Sequence, residues 1–256
     1  MEDERCLILE RRDAVLVLTI NRPRVHNALN RRVAEEIAAA MDLLDADTEL
    51  RVGVITGAGG TFSSGMDLKA FGAGELPVIE GRGLAGFAEA PPRKPLIAAV
   101  EGYALAGGFE VALACDLIVA ARDAVFGLPE VKRSLLAVGG ALIRLPRRIS
   151  YNLAMELALT GKTVDAQQAA GWGLVNRLAE PGAALVTALE LADEIAANGP
   201  VAVAASKEVL GFSADGSESA AWERQGEVLA ALVASEDARE GALAFLEKRE
   251  PVWRGR

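Results

Sequence analysis

"KPLIAAVEGYALAGGFEVALACDLIVAA", residues 94–121, is the stretch on which the fold turns. Leu96 to Val100 is a short run without a polar side chain, as a strand buried on both faces requires. A glycine-bearing loop follows, then a helix through Glu110 to Ala114, then a second strand from Asp116 to Ala120. Strand, helix and strand make one unit of an α/β chain.

The flanking sequence repeats the arrangement. "CLILERRDAVLVLTINRP", residues 6–23, holds two apolar runs around a charged turn, the second (Ala14 to Ile20) β-branched and ending before Pro23, which predicts a hairpin. From Asn27 the period changes: Leu29, Val33, Ile37, Met41 and Leu44 recur every three to four residues, as in an amphipathic helix. "RVGVITGAGGTF", residues 51–62, is a strand running into glycines, and "GLVNRLAE", residues 173–180, contains a late short strand. From "GAALVTALELADEIAANGP", residues 182–200, onward the chain reads as helix. "GAGELPVIEGRG", residues 72–83, is the loosest segment and is expected to be a mobile loop.

Composition narrows the functional classes. With 256 residues, 51% hydrophobic and 25% charged, the chain has ordinary globular composition and length for one main core plus an appendage. Acidic side chains outnumber basic ones 36 to 27, so no basic field exists to hold nucleic acid or an anionic membrane. Cys6 and Cys115 form neither a disulfide framework nor a metal-type spacing, which points to a reducing cytoplasm. The start, "MEDERCLILERRDAVLVL", is acidic and is interrupted by "ERRD", as a soluble protein without a signal sequence or membrane span would be.

Candidate chemistry gathers at two glycine loops. "FSSGMDLKAF", residues 62–71, is not a serine-nucleophile elbow: Phe62 stands where its first glycine belongs, and His26 is the lone histidine that could act as base. "ITGAGGTF", residues 55–62, has Gly57 and Gly59 but Phe62 in place of the third glycine of a dinucleotide fingerprint, and suits a tight turn better. Gly65-Met66-Asp67 turns into "LKAF", however, and Ala106-Gly107-Gly108 turns into "FEVALAC". Helix starts expose unpaired backbone N–H groups, and two aimed at one oxygen make an oxyanion hole. Glycines before helices also occur for structural reasons alone. Glu110 and Glu130 could face one pocket if the intervening strand runs out and returns, with apolar surroundings raising a pKa so that one gives a proton while the other takes one. The alternative for each is a helix-terminal glutamate bonded to local N–H groups.

These residues carry a resemblance to the crotonase, or enoyl-CoA hydratase, superfamily over essentially the whole chain. "NRPRVHNAL" (residues 21–29), "VITGAGGTFSSGMDLKA" (54–70), the stretch 94–121 and "FGLPEV" (126–131) stand in that family's order and spacing. "SEDAREGALAFLEKREPVWRG", residues 235–255, resembles its closing segment, and with "GMDLKA" it is most similar to the carnitinyl-CoA dehydratase (crotonobetainyl-CoA hydratase) branch. The resemblance implies an α/β fold, a ClpP-like spiral of ββα units. Residues 1–197 would form the crotonase core, and residues 198–256 a helical region that builds homotrimers, commonly paired into homohexamers.

Carried over residue by residue, the resemblance makes the N–H groups of Met66 and Gly107 the oxyanion donors for an acyl-CoA thioester. Glu110 would take a proton from water and Glu130 supply one. Met66, Asp67, Leu68 and Lys69 would line the coenzyme A site, with Gly107 at its thioester end. Val25 and Ala28 would border the nucleotide and pantetheine, and Phe245 and Lys248 would reach the coenzyme A of a neighbouring subunit. No metal or other cofactor is implied, coenzyme A being part of the substrate. One departure stands out: "EVKRSLLAVGG", residues 130–140, lacks the proline of the family's Pro-Gly-x-Gly-Gly loop and is one residue shorter. That loop borders the acyl pocket and the reacting water.

Hydration or dehydration of an enoyl-CoA is thus the expected activity. Double-bond isomerisation, thioester hydrolysis and non-catalytic coenzyme A binding are the alternatives. The tail places Trp222, Leu229, Leu232 and Phe245 in helical registers, apolar surface that another subunit would cover.

Overall fold

The computed structural model describes residues 5–214 and 216–256. The expected hairpin is present: β1 (Leu7–Arg12) pairs antiparallel with β2 (Val15–Ile20). Helix α1 (Arg31–Ala46) begins later than its apolar period indicates, because Asn30 caps it by accepting the Val33 N–H at 3.1 Å. Asn27 and Leu29 precede the helix. Asn27 has a left-handed φ of 54°, and Leu29 forms an isolated bridge to Met66. An apolar period does not distinguish a last extended residue from a first helical turn.

After β3 (Val52–Gly57) and the short α2 (Leu68–Gly72), the chain makes a two-stranded ribbon, β4 (Val78–Ile79) with β5 (Gly83–Leu84). The segment expected to be a mobile loop thus contains a strand. It is tied to the start of α1 by the Arg31 N–H, which donates to Glu75 at 2.7 Å, and by the Arg31 guanidinium, which donates to the Val78 carbonyl at 3.2 Å. Its glycines and charges gave no sign of partners so far away in sequence.

The deciding stretch forms β6 (Leu96–Val100), β7 (Tyr103–Leu105), α3 (Gly107–Ala114) and β8 (Leu117–Ala121). Three details differ from expectation. A strand, β7, lies inside the glycine-bearing loop, α3 begins at Gly107 instead of Glu110, and β8 begins after Asp116. Asp116 is held out of the strand because its carboxylate accepts the Leu96 N–H at 2.8 Å and the Lys207 ammonium at 2.6 Å. The chain continues through β9 (Val125–Gly127), a 3-10 turn (Pro129–Arg133), α4 (Ala141–Arg148), α5 (Tyr151–Thr160), β10 (Thr163–Asp165), α6 (Ala166–Gly171), β11 (Arg177–Ala179) and α7 (Ala184–Ala196).

The six-stranded sheet runs β1-β2-β3-β6-β8-β11 and is parallel from β2 onward. Side chains alternate between its faces, and both are covered. Val15, Val17, Val52, Val54, Ile97 and Ala99 pack under α7, which presents Ala184, Ala188, Ala192 and Ala196 one turn apart. Leu16, Leu18, Ile20, Ile55 and Leu96 enter the larger core, shared with α1 and α3. A second ladder joins β7 to β9 and β9 to β10, and single bridges extend it backward, Ser63 to Ala104 and Leu29 to Met66. Successive turns therefore each give a strand to the large sheet and a short extended piece to the ladder, which is the expected crotonase-type spiral. That stacking sets the two glycine loops side by side.

Helices α8 (Pro200–Ser213), α9 (Glu218–Ala234) and α10 (Glu236–Glu247) complete the chain. The C-terminal residues fold back on them: buried Asp237 accepts the N–H groups of Arg254 and Gly255 at 2.7 and 2.9 Å, and Trp253 Nε1 donates to the Ala197 carbonyl at 2.8 Å. Trp222, Leu229 and Phe245 stand exposed, Phe245 at 84%. Leu232 is half-buried. Among the described residues no helix is long and apolar enough to cross a membrane.

Candidate active site

The two glycine loops meet. Gly65 has φ +94°, and a Cβ there would lie 2.8 Å from Ala106 Cβ and 2.9 Å from the Gly107 nitrogen, so only glycine fits. A Cβ on Gly107 would come 3.5 Å from the Met66 nitrogen. The amides of Met66 and Gly107 therefore border one small space. The neighbouring backbone groups are engaged: Gly65 N–H donates to Ser63 Oγ at 3.1 Å, and Leu29 exchanges bonds with Gly65 O and Asp67 N–H, both at 2.8 Å. Among the hydrogen bonds of the described residues, neither the Met66 nor the Gly107 N–H has an acceptor. Ala106, just before Gly107, is held at φ 50°, ψ −127°, a conformation costing a non-glycine residue about 1–3 kcal/mol.

One carboxyl stands beside these amides, and a second follows it in the chain. Glu110, in the first turn of α3, is 3% exposed, and its Oε1 accepts the Ala141 N–H at 3.1 Å from the start of α4. Burial raises its pKa to about 7, against the Ala141 N–H and with help from the charge of Glu130. The charge of Glu130 is thus felt at Glu110. Glu130 sits in the 3-10 turn with Oε2 buried and lacking a hydrogen-bond partner among the described residues. Burial raises its pKa too, opposed by its own backbone N–H and by Arg133. It borders an apolar cavity of about 300 Å³ lined by Leu128, Leu136, Leu142, Leu145 and Met155.

Such a set, two free amides, one carboxyl with a pKa of about 7 and a second raised by burial, can polarise a carbonyl and exchange protons on the carbons next to it. The sequence model for enoyl-CoA hydratase/isomerase matches residues 10–256. The chain belongs to the enoyl-CoA hydratase/isomerase family. A mevalonyl-coenzyme A hydratase of Aspergillus fumigatus is 40% identical over 97% of this chain and 94% of its own length. A carnitinyl-CoA dehydratase of Escherichia coli O157:H7 is 40% identical over 98% of each chain. The crystal structure of an enoyl-CoA hydratase from Mycobacterium marinum superposes with TM-score 0.97 at 58% identity, covering 99% of this chain and all of that one.

For this member of the enoyl-CoA hydratase/isomerase family, the remaining expected residues divide into two groups. Val25, Ala28 and the run Met66 to Lys69 lie together, because Arg22 donates to the Ala28 carbonyl and pairs with Asp67 at 3.0 Å. Asp67 also caps α2 through the N–H groups of Lys69 and Ala70, leaving Leu68 and Lys69 exposed. Val25 is exposed and Ala28 buried. Phe245 and Lys248, by contrast, are not brought to this cluster: both stand exposed at the end of α10, which packs on α8 and α9.

Sequence reasoning missed Leu84, Gly139 and Ala141. Leu84 Cδ2 lies 3.5 Å from where a Gly107 Cβ would be, so it closes the space over the amides. A Cβ on Gly139 would come 2.8 Å from Glu110 Oε2 and closer still to Leu84. The paired glycines of "AVGG" were visible, but nothing in the sequence pointed them at Glu110. The shortened loop after Glu130 supplies this bond: Ser134 turns it in a left-handed conformation, and α4 starts at Ala141 with its N–H on the carboxylate.

Proposed function

We propose that the chain is an enoyl-CoA hydratase/dehydratase, adding water across the α,β double bond of an acyl-CoA thioester or removing it. The observation that supports this is buried Glu110, with a pKa raised to about 7, in the helical turn that begins at the Gly107 amide, whose neighbour is the Met66 amide; Glu130, also raised by burial, acts on the charge of Glu110. The thioester oxygen accepts from the Met66 and Gly107 N–H groups. Glu110, whose anion is supported by the Ala141 N–H, takes a proton from water as the water oxygen bonds to Cβ. The π electrons move toward the thioester oxygen, and the enolate-like charge is held by the two amides, each worth about 3 kcal/mol. Glu130, whose buried Oε2 has no hydrogen-bond partner among the described residues and whose pKa burial raises, gives its proton to Cα. Proton transfers of this kind contribute roughly 10²–10⁴-fold. Dehydration is the same path reversed.

In this reading Val25, Ala28 and Met66 to Lys69 hold coenzyme A, and Phe245 and Lys248 serve the site of a neighbouring subunit in a homotrimer or a hexamer of two. Their exposure at the end of α10 supports that placing. The four groups supply the whole reaction, so the enzyme calls for no metal or redox cofactor, and we place it in the cytoplasm.

The test is turnover of crotonyl-CoA and crotonobetainyl-CoA, followed as loss of the conjugated thioester absorbance. A product heavier by one water is expected. Unchanged mass would indicate isomerisation, and free coenzyme A would indicate hydrolysis.

A further inference from the structure

Ser63 lies fully buried where the two glycine loops cross, and no step of the reaction uses it. Resting on the reading of Met66 and Gly107 as the amides facing the thioester oxygen, we propose that Ser63 is a positioning residue that sets those two amides relative to each other.

Its two halves reach the two loops separately. The backbone N–H of Ser63 donates to the Tyr103 carbonyl at 2.9 Å, and its carbonyl accepts the Leu105 N–H at 3.0 Å. Ser63 is thereby laced to β7, the strand that runs directly into Ala106 and Gly107. Its hydroxyl turns the other way, donating to the Asn27 carbonyl at 2.9 Å and accepting the Gly65 N–H at 3.1 Å. The peptide unit after Gly65 carries the Met66 amide. A Cβ on Gly108 would fall 2.3 Å from the Ser63 carbonyl oxygen, so the first turn of α3 rests on Ser63 only because Gly108 lacks one.

The anchor behind the hydroxyl is itself fixed. Asn27 is fully buried at φ 54°; its Oδ1 accepts the Arg22 N–H at 2.9 Å, and its Nδ2 donates to the carbonyls of Ala58 at 2.8 Å and Thr61 at 2.5 Å. A hydroxyl held between a fixed acceptor and a single donor has one orientation. Without it, the Gly65 N–H and the Asn27 carbonyl lose their partner, the Ser64–Gly65 peptide loses the bond that orients it, and the Met66 amide is left positioned only through the Gly65 carbonyl on Leu29. The Gly107 side, held by backbone alone, stays in place. Removing the hydroxyl should therefore spoil the convergence of the amides more than the binding of coenzyme A, which is held elsewhere.

The test uses the intact enzyme, Ser63→Ala and Ser63→Cys, with two readouts. The first is turnover of crotonyl-CoA. The second is the infrared carbonyl stretch of bound butanoyl-CoA, isotope-labelled at the carbonyl carbon, a saturated thioester that cannot add water and reports only its polarisation. Wild type should lower the stretch relative to free ligand. Ser63→Ala should lose much of that shift and about 10- to 100-fold in kcat, with a smaller change in KM. Ser63→Cys, with a weaker donor of similar shape, should fall between them and serves alone if the alanine variant does not fold. A variant with wild-type carbonyl shift, whatever its kcat, overturns the proposal, as does a wild type that binds butanoyl-CoA without shifting its stretch. A wild type that shifts the stretch but hydrates nothing rejects the hydratase reading, and a smaller shift in the variants would still uphold Ser63.

Discussion

The Ala141 N–H lies 3.1 Å from Glu110 Oε1 and donates to it, so the first residue of α4 supports the anion of a carboxyl that burial would otherwise keep neutral. The two influences oppose each other and leave the group with a pKa of about 7, where it can accept a proton at neutral pH and release it again. Such a balance has measurable consequences.

Activity should follow the protonation of the carboxyl pair. Hydration needs Glu110 ionised, so kcat/KM should have a rising limb that burial of Glu110 shifts toward about 7, and it needs Glu130 protonated, so ionisation of Glu130, itself raised by burial, should supply a falling limb. The two groups interact, so the limbs belong to the pair. A stopped-flow pH profile checks this. A rising limb at an ordinary carboxylate pKa would show that burial does not govern Glu110.

Stability should carry the opposite trend. A carboxyl whose pKa is raised from 4.5 to about 7 binds its proton more tightly in the folded chain, so its contribution is intact below 4.5 and is lost as pH rises toward 7. At about 1.36 kcal/mol per pKa unit the loss is roughly 3 kcal/mol. Glu110→Gln should remove that slope. Urea unfolding of both proteins at several pH values measures it, and parallel curves would contradict the assignment.

Gly139 should tolerate no side chain. In Gly139→Ala the new Cβ, 2.8 Å from Glu110 Oε2, must displace the carboxyl or Leu84. We expect kcat to fall by about 10²-fold, within the range for misplacing one acid–base group. The acid limb of the profile should move as well. Wild-type kcat and limb would mean the carboxyl has room that the structure does not show.

Ala106→Gly should separate stability from rate. Glycine relieves the positive φ before the Gly107 amide, which should raise stability by up to about 1 kcal/mol, while the looser loop lowers kcat. Thermal unfolding and turnover check the two halves. Lower stability would mean that the contact of the Ala106 methyl with Gly65 outweighs the strain.

The parts of the molecule legible in the sequence were those that repeat a local pattern. The runs Leu96–Val100 and Val15–Ile20 are apolar because both sheet faces are covered, and Gly65 announces a loop into which a side chain does not fit. Contacts between distant segments were hidden. Asn27 and Leu29 kept the helical period yet serve the loop at Met66, and the ribbon carrying Leu84 looked like a mobile loop because its partners lie on α1. Gly139 and Ala141 reach Glu110 across 31 residues or fewer, and no periodicity records that approach.

The central claim is that Glu110 and Glu130 move protons to and from water at the carbons beside a thioester held by Met66 and Gly107. Its most direct test is crotonyl-CoA turned over in heavy-oxygen deuterated water and analysed by mass spectrometry. The account predicts one solvent oxygen at Cβ and one solvent deuteron at Cα, both abolished in Glu110→Gln and Glu130→Gln while coenzyme A binding persists. Solvent oxygen in a released free acid, or deuteron exchange at Cα with no oxygen at Cβ, would contradict it.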